Sequence, residues 1–260
     1  MLVEICWGRS SIVVKVEKHV EETRRALPFE SRATHWKEEV YFSTPITIDE
    51  TKLVSHVARG HVYYWPPERS MCIFYGVSQP YTPVAYLGTL IDPVTRAKAI
   101  PDGASLRVDK HSPDPSLSDI VEALRDMGYE CATPLDEGAR IVTCFKELAT
   151  RVSYIAPGRL SIAMYPESYG MYIETEPLFR YASTVFDRMV LEILSTEIQD
   201  RVEPSIARLD LDEEGNVVVS ACISSQRELG EAIDEVEKVF SVAGSTLTAV
   251  VKRISSAPLA

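Results

Sequence analysis

The stretch "YYWPPERSMCIFYG", residues 63–76, sets an aromatic run against two prolines and lets an apolar run resume five residues later. Proline lacks an amide donor and holds φ near −65°, so two in succession cannot continue a central strand. "GHVYYW" therefore ends at Trp65, "PPERS" is a rigid turn, and "MCIFYG" leaves it as a second strand that stops at Gly76. The prolines also limit how far one strand can slip along the other.

The neighbouring sequence keeps this rhythm. Val3, Ile5 and Trp7 alternate with polar residues, and Ile12, Val14 and Val16 share one face after a turn at "RSS". Such period-2 patterns predict strands. "EEVYFSTPITI" and "PVAYLGTLI" add further strands, while "VEKHVEETRRALP" reads as one short surface helix closed before Pro28. Many short strands and one helix predict an all-β closed barrel or sandwich.

The composition changes at "DKHSPDPSLSD", residues 109–119, where prolines, aspartates and serines replace the alternation. Residues 109–116 are expected to be a linker between a β-domain at 1–108 and an α+β domain at 117–260. In the second part, "SLSDIVEALRDMG" predicts a helix ending at Gly128. "ARIVTCF", "RVSYIA", "RLSIAMY" and "YGMYIET" predict strands. A long helix is expected after Pro177, with Leu178, Tyr181, Val185, Met189, Leu191 and Leu194 among its apolar positions. "ARLDLDEEGNVVVSACIS" predicts a hairpin around Glu214-Gly215-Asn216. A helix opened by Ser225 and Glu228 should stop at Gly244, and "TLTAVVKRI" should be a final strand.

Length and composition bound the function. At 260 residues, two domains is the natural expectation. A net charge of -11 argues against a general nucleic-acid binder. No basic stretch followed by an apolar core opens the chain, and no apolar run approaches the roughly 20 residues that span a bilayer. A cytoplasmic protein without nucleic-acid or membrane partners is expected. One Asn, three Gln and 18 Arg against 9 Lys suggest a thermophile. Cys6, Cys72, Cys131, Cys144 and Cys222 show no paired spacing and read as core filler. Thermophiles allow intracellular disulfides, and Cys131 with Cys144 is then the pair to consider.

No phosphate loop, nucleophile elbow or His-Glu-x-x-His motif is present, and the histidines have no metal-ligand spacing. No cofactor and no metal are expected. "DLDEEGN" lacks the spacing of a calcium loop and reads as a charged hairpin tip.

"WKEEVYFSTPI", "VARGHVYYWPPERSMCIFYG" and "PVAYLGTL" together resemble the small cyclophilin-like proteins of bacteria and archaea over residues 1–108. Lys37 stands where their pattern has Gly, His61 where it has Asp, and Glu68 where it has Gly. The resemblance implies an eight-stranded closed barrel with a capping helix and a side-chain-filled interior. In true cyclophilins a groove on the outer face accepts a proline-containing peptide, and an Arg from a Phe-His-Arg motif donates toward the prolyl nitrogen. That motif is absent here, and "SRATHWKEEVYF" occupies the corresponding stretch. Arg32 is its only guanidinium and the candidate catalytic residue. His35, Trp36, Glu38, Tyr41, Tyr64, Trp65, Phe74 and Tyr75 are candidate ligand-binding residues. Alternation lets only about half of them face outward, and Trp65 and Phe74 also suit a core position.

Three functions follow as expectations. The first is a cyclophilin-fold protein binding a peptide or small ligand, with the second domain offering a second surface or a homo-oligomer contact. The second is a divergent peptidyl-prolyl isomerase using Arg32. The third is an enzyme sited in or beside the C-terminal domain, where no family is recognised. If Pro66 and Pro67 are turn-formers, replacing both with alanine should cost about 1–2 kcal/mol in a urea unfolding measurement. An unchanged midpoint would remove that role.

Overall fold

The structure, a computed structural model, describes residues 1–49, 52–148 and 158–256. The strand expected at 151–156 lies outside the described residues. The chain forms two compact units, Met1–Cys144 and Phe145–Ala260.

The first unit begins with β1 (Leu2–Trp7), β2 (Ser10–Val16), α1 (Val20–Ala26), β3 (Phe29–Arg32), β4 (Thr34–Trp36) and β5 (Glu39–Ser43). It continues with β6 (His61–Trp65), β7 (Ser70–Phe74), β8 (Ala85–Leu90), α2 (Val94–Lys98) and β9 (Ser105–Lys110). The strands form one sheet in the order β3-β9-β1-β2-β8-β6-β7-β5-β4, curled into a nearly closed barrel. Nine strands stand where eight were expected, because Ala33 splits one segment in two. Its first half, β3, pairs with β9 through Phe29↔Val108 to Arg32↔Ser105. Its second half, β4, pairs with β5 through Thr34↔Tyr41 to Trp36↔Glu39. Residues 29–36 thus bond to both ends of the sheet, which removes the free edges an open sheet would carry.

Alternation decides what fills the barrel. Val40 and Phe42 of β5, Val62 and Tyr64 of β6, and Met71 and Ile73 of β7 join the interior with Ile5, Ile12 and Leu87. Burying each such side chain contributes roughly 1.5–3 kcal/mol. Val94, Ala97 and Ile100, on and just after α2, belong to the same core. A Cβ at Gly88 would collide with the Lys15 carbonyl, so glycine is what lets β8 lie against β2 here. The prolines of the opening stretch form a short 3-10 turn, Pro66–Glu68, between β6 and β7.

The segment expected as a linker lies inside the first unit. It leads into α3 (Ser118–Asp126), β10 (Glu130–Ala132), β11 (Leu135–Asp136) and β12 (Ala139–Arg140). Polar clips hold this region on the barrel. His111 Nδ1 lies 3.0 Å from Glu4 Oε2, and Arg140 and Ser11 donate to Glu4 Oε1 at 2.7 and 2.6 Å. Burial pushes the Glu4 carboxyl up, but the His111 and Ser11 hydrogen bonds and the Arg140 charge more than offset it and hold it low. Arg96 reaches Asp92, Asp136 and the Ser11 and Leu135 carbonyls. Composition read as a linker because these residues pack through polar contacts, which leave no apolar period in the sequence.

β13 (Val142–Glu147) carries the chain into the second unit. There β14 (Arg159–Glu167), β15 (Gly170–Thr175), β16 (Phe179–Arg180), β17 (Arg208–Leu211) and β18 (Asn216–Ile223) form a sheet with α4 (Val185–Arg201) and α5 (Leu229–Ser256). The β17–β18 hairpin turns at Gly215 as expected, with Asp212 accepting from the Asn216 amide at 2.7 Å. Two expectations are corrected. Residues 246–254 are helix, because α5 runs through Gly244: Val236, Phe240, Ala243 and Leu247 keep one buried face in helical phase, which overrides the β-branched composition. The helix expected after Pro177 begins only at Val185, capped by Thr184 and Asp187, because Phe179–Arg180 first pairs along β18. Its buried positions are Val190, Leu194 and Ile198, while Val185, Phe186, Met189 and Ile193 are exposed.

All five cysteines are free thiols, with Cys72, Cys131 and Cys144 buried and Cys222 exposed. No helix among the described residues is long and apolar enough to cross a membrane. If the clips stabilise the barrel, a fragment of residues 1–144 should be more stable than one of 1–110 by about 3 kcal/mol or more. Equal urea midpoints would show that residues 111–144 add nothing.

Candidate functional site

The residues that alternate with the barrel core point outward, and on β5, β6 and β7 they are unusually apolar. Tyr63, Cys72, Phe74 and Val84 form a second buried cluster there, with Tyr41, Trp65 and Tyr86 packed against it. The register builds rows: Glu39 stands opposite Phe74 and Trp36, and Cys72 opposite Tyr41 and Tyr63. A cavity of about 260 Å³ opens among Trp36, Glu39, Tyr41, Trp65, Cys72, Phe74, Pro80, Tyr81 and Val84. Tyr41 and Trp65 meet edge to face at 6.1 Å. Tyr81, 82% exposed, stands at the rim, whereas Cys72, Phe74 and Val84 are buried.

Residues 77–84 cross this face and are tied down along their length, Val84 by a backbone bridge to Val54 and the rest by side chains. Val77 N donates to Glu38 Oε2 at 2.7 Å, Val57 N to Gln79 Oε1 at 2.9 Å, and Trp65 Nε1 to Thr82 Oγ1 at 2.7 Å. The β4–β5 turn is fixed from behind. His35 Nε2 donates to the Ile100 carbonyl at 2.6 Å, while its Nδ1 lies 3.0 Å from the Tyr75 hydroxyl. That hydroxyl also reaches the Lys37 carbonyl at 3.1 Å. Lys37 itself has φ 55°, a left-handed conformation that costs a residue other than glycine about 1–2 kcal/mol. This accounts for the Gly at that place in the resembled pattern.

Glu39 is the chemical feature of the cavity. It is only 7% exposed, and its Oε2 has no hydrogen-bond partner among the described residues. Burial pushes its carboxyl up to about 7, with the charge of Lys37 pulling in the opposite direction. Burial likewise holds the Cys72 thiol well above its ordinary range, which favours its protonated form. No cluster of three or more potential metal ligands occurs among the described residues.

Of the residues singled out from sequence, Trp36, Tyr41, Trp65 and Phe74 line the cavity. His35 and Tyr75 brace the β4–β5 turn beside it, and Glu38 holds the start of the crossing segment. Tyr64 points into the barrel and donates to the Ile46 carbonyl. Arg32 is not among the lining residues; its guanidinium donates to the Gly103 carbonyl at 2.9 Å. Sequence reasoning passed over Glu39, Cys72, Pro80, Tyr81 and Val84. Phase could have found Glu39 and Cys72, since each lies two residues from an outward-facing aromatic, Tyr41 and Phe74.

Residues 1–109 match the family described as Cyclophilin-like, and this segment is a cyclophilin-like barrel; the rest of the chain has no family match. No curated protein matches the chain. Among solved structures, a hypothetical protein from Archaeoglobus fulgidus is 25% identical, covering 42% of this chain and 94% of its own, with a TM-score of 0.37. McbB in complex with tryptophan is 13% identical, covering 48% of this chain and 54% of its own, with a TM-score of 0.36.

Glu39 gives the site a pH signature. Between the ordinary carboxylate value of 4.5 and about 7, the folded chain keeps a proton that the unfolded chain has lost, so stability falls as pH rises through that window. Glu39→Gln should remove this part of the slope, so that its stability relative to wild type rises as pH increases from 5 to 8. Parallel urea profiles for the two proteins from pH 5 to 8 would contradict it.

Proposed function

We propose that the barrel domain is a binding module that takes a small molecule, or one side chain of a peptide, into the outer-face cavity. The carrying observation is the meeting of aromatic walls with one buried, unpartnered carboxyl oxygen. Ligand sites combine a largely apolar lining with a few placed polar groups, and that composition is present here. The cavity, at about 260 Å³, lies just below the range of roughly 300–1,000 Å³ occupied by drug-sized ligands. A group the size of a single ring suits it.

Trp36 and Trp65 line the cavity, so occupancy should alter intrinsic fluorescence. Single-ring compounds and short peptides, proline-containing ones included, should give saturable changes. Tyr41→Ala should weaken the hits at least about tenfold, or ~1.4 kcal/mol, with the urea midpoint little moved. A library with no hit by fluorescence or ligand-observed NMR, or hits undiminished in the variant, would overturn the reading.

A further inference from the structure

Resting on that reading, we propose that the ligand of the outer-face cavity presents an alkylated ammonium group to Glu39, its alkyl groups lying against Trp36, Tyr41, Trp65 and Tyr81. An ionised carboxylate only accepts hydrogen bonds, and among the described residues Glu39 Oε2 has no donor, in a site whose lining is mostly apolar. This oxygen is already out of contact with water, and a neutral hydrocarbon ligand would give it nothing in return. A compact, hydrated cation would have to shed its water against carbon. An alkylated ammonium does neither: its charge answers the carboxylate, and its methyl groups fit the walls.

The rings contribute in the same sense. An aromatic face carries negative charge and attracts cations, most strongly when both are out of water. The Trp36 indole already draws one from this chain, with Lys37 Nζ lying 4.1 Å from its ring centroid. Tyr41 and Trp65 stand nearly perpendicular, at 88°, and form a corner rather than a slot, which suits a rounded group better than a flat one. At the level of the whole chain, a net charge of -11 favours the approach of cations over anions.

The titratable groups around Glu39 are few. Lys37 faces it from the turn, Tyr41 from its own strand, Cys72 from β7 and Tyr75 from just beyond that strand. The crossing segment 77–84 brings Tyr81 as its single titratable side chain. A quaternary ammonium cannot lose a proton, so any proton released on binding near neutral pH comes from the protein.

The test uses the full-length chain with choline and its uncharged carbon isostere, 3,3-dimethyl-1-butanol, each titrated by fluorescence and calorimetry. Choline should bind at least tenfold more tightly than the alcohol and release protons at pH 6.5. Glu39→Gln, which removes the charge without adding bulk, should lose that preference and the proton release. Its fold is checked by circular dichroism. Equal affinity for the two compounds, or a choline preference unchanged in the variant, overturns the ammonium assignment while the small-ligand reading stands. No response to choline beside clear hits from single-ring compounds has the same meaning. No response to any compound removes both.

Discussion

Closure of the barrel by residues 29–36 is the constraint from which the rest follows. One continuous segment bonds to β9 with its first half and to β5 with its second, and Ala33 makes the transfer, giving its amide to Ala104 and its carbonyl to Gly103. A segment paired on both sides cannot slip by one residue without turning every side chain to the opposite face. The register of β4 against β5 is therefore fixed by the whole circumference. That register sets Trp36 opposite Glu39, so the geometry of the cavity is a consequence of how the barrel closes.

Holding a carboxyl in such a place has a cost, and the surroundings show how it is met. Burial raises the affinity of Glu39 for a proton, and Lys37 returns part of the charge balance from a backbone conformation that favours glycine. His35 and Tyr75 pin the turn that carries Lys37 and Glu38. Glu38 then anchors the crossing segment through the Val77 amide. Residues held in sparsely populated conformations concentrate where a neighbourhood over-determines them, and the β4–β5 turn fits that description.

Much of the first unit was legible from sequence. Period-2 alternation and the Pro66-Pro67 stop mark its strands directly, and the family resemblance supplied their closure. The site was legible in part. Aromatic residues drew notice by type, but Glu39 looked like one more charged residue beside Glu38, and only strand phase separates the braced acid from the buried one. Arg32 was singled out by chemistry alone, and its position on β3 leaves it bonded to a loop carbonyl. Residues 77–84 were illegible because they pack as a covering segment without a period. In the second unit the Thr- and Val-rich end of α5 read as strand, since local preference says nothing about the buried face that Val236 through Leu247 must keep.

The strict division of β5, β6 and β7 into inward and outward residues has a consequence for the two faces of the sheet. Phe42, Tyr64 and Met71 serve the hydrocarbon interior, whereas Tyr41, Trp65 and Cys72, each next to one of them in sequence, serve the cavity. Neighbours on one strand thus answer to separate selective demands. Tyr41 and Trp65 line the cavity and are not among the residues that fill the interior. Outward and inward positions on these strands can therefore be substituted separately, and the alternation that fills the barrel does not by itself dictate what lines its outer face.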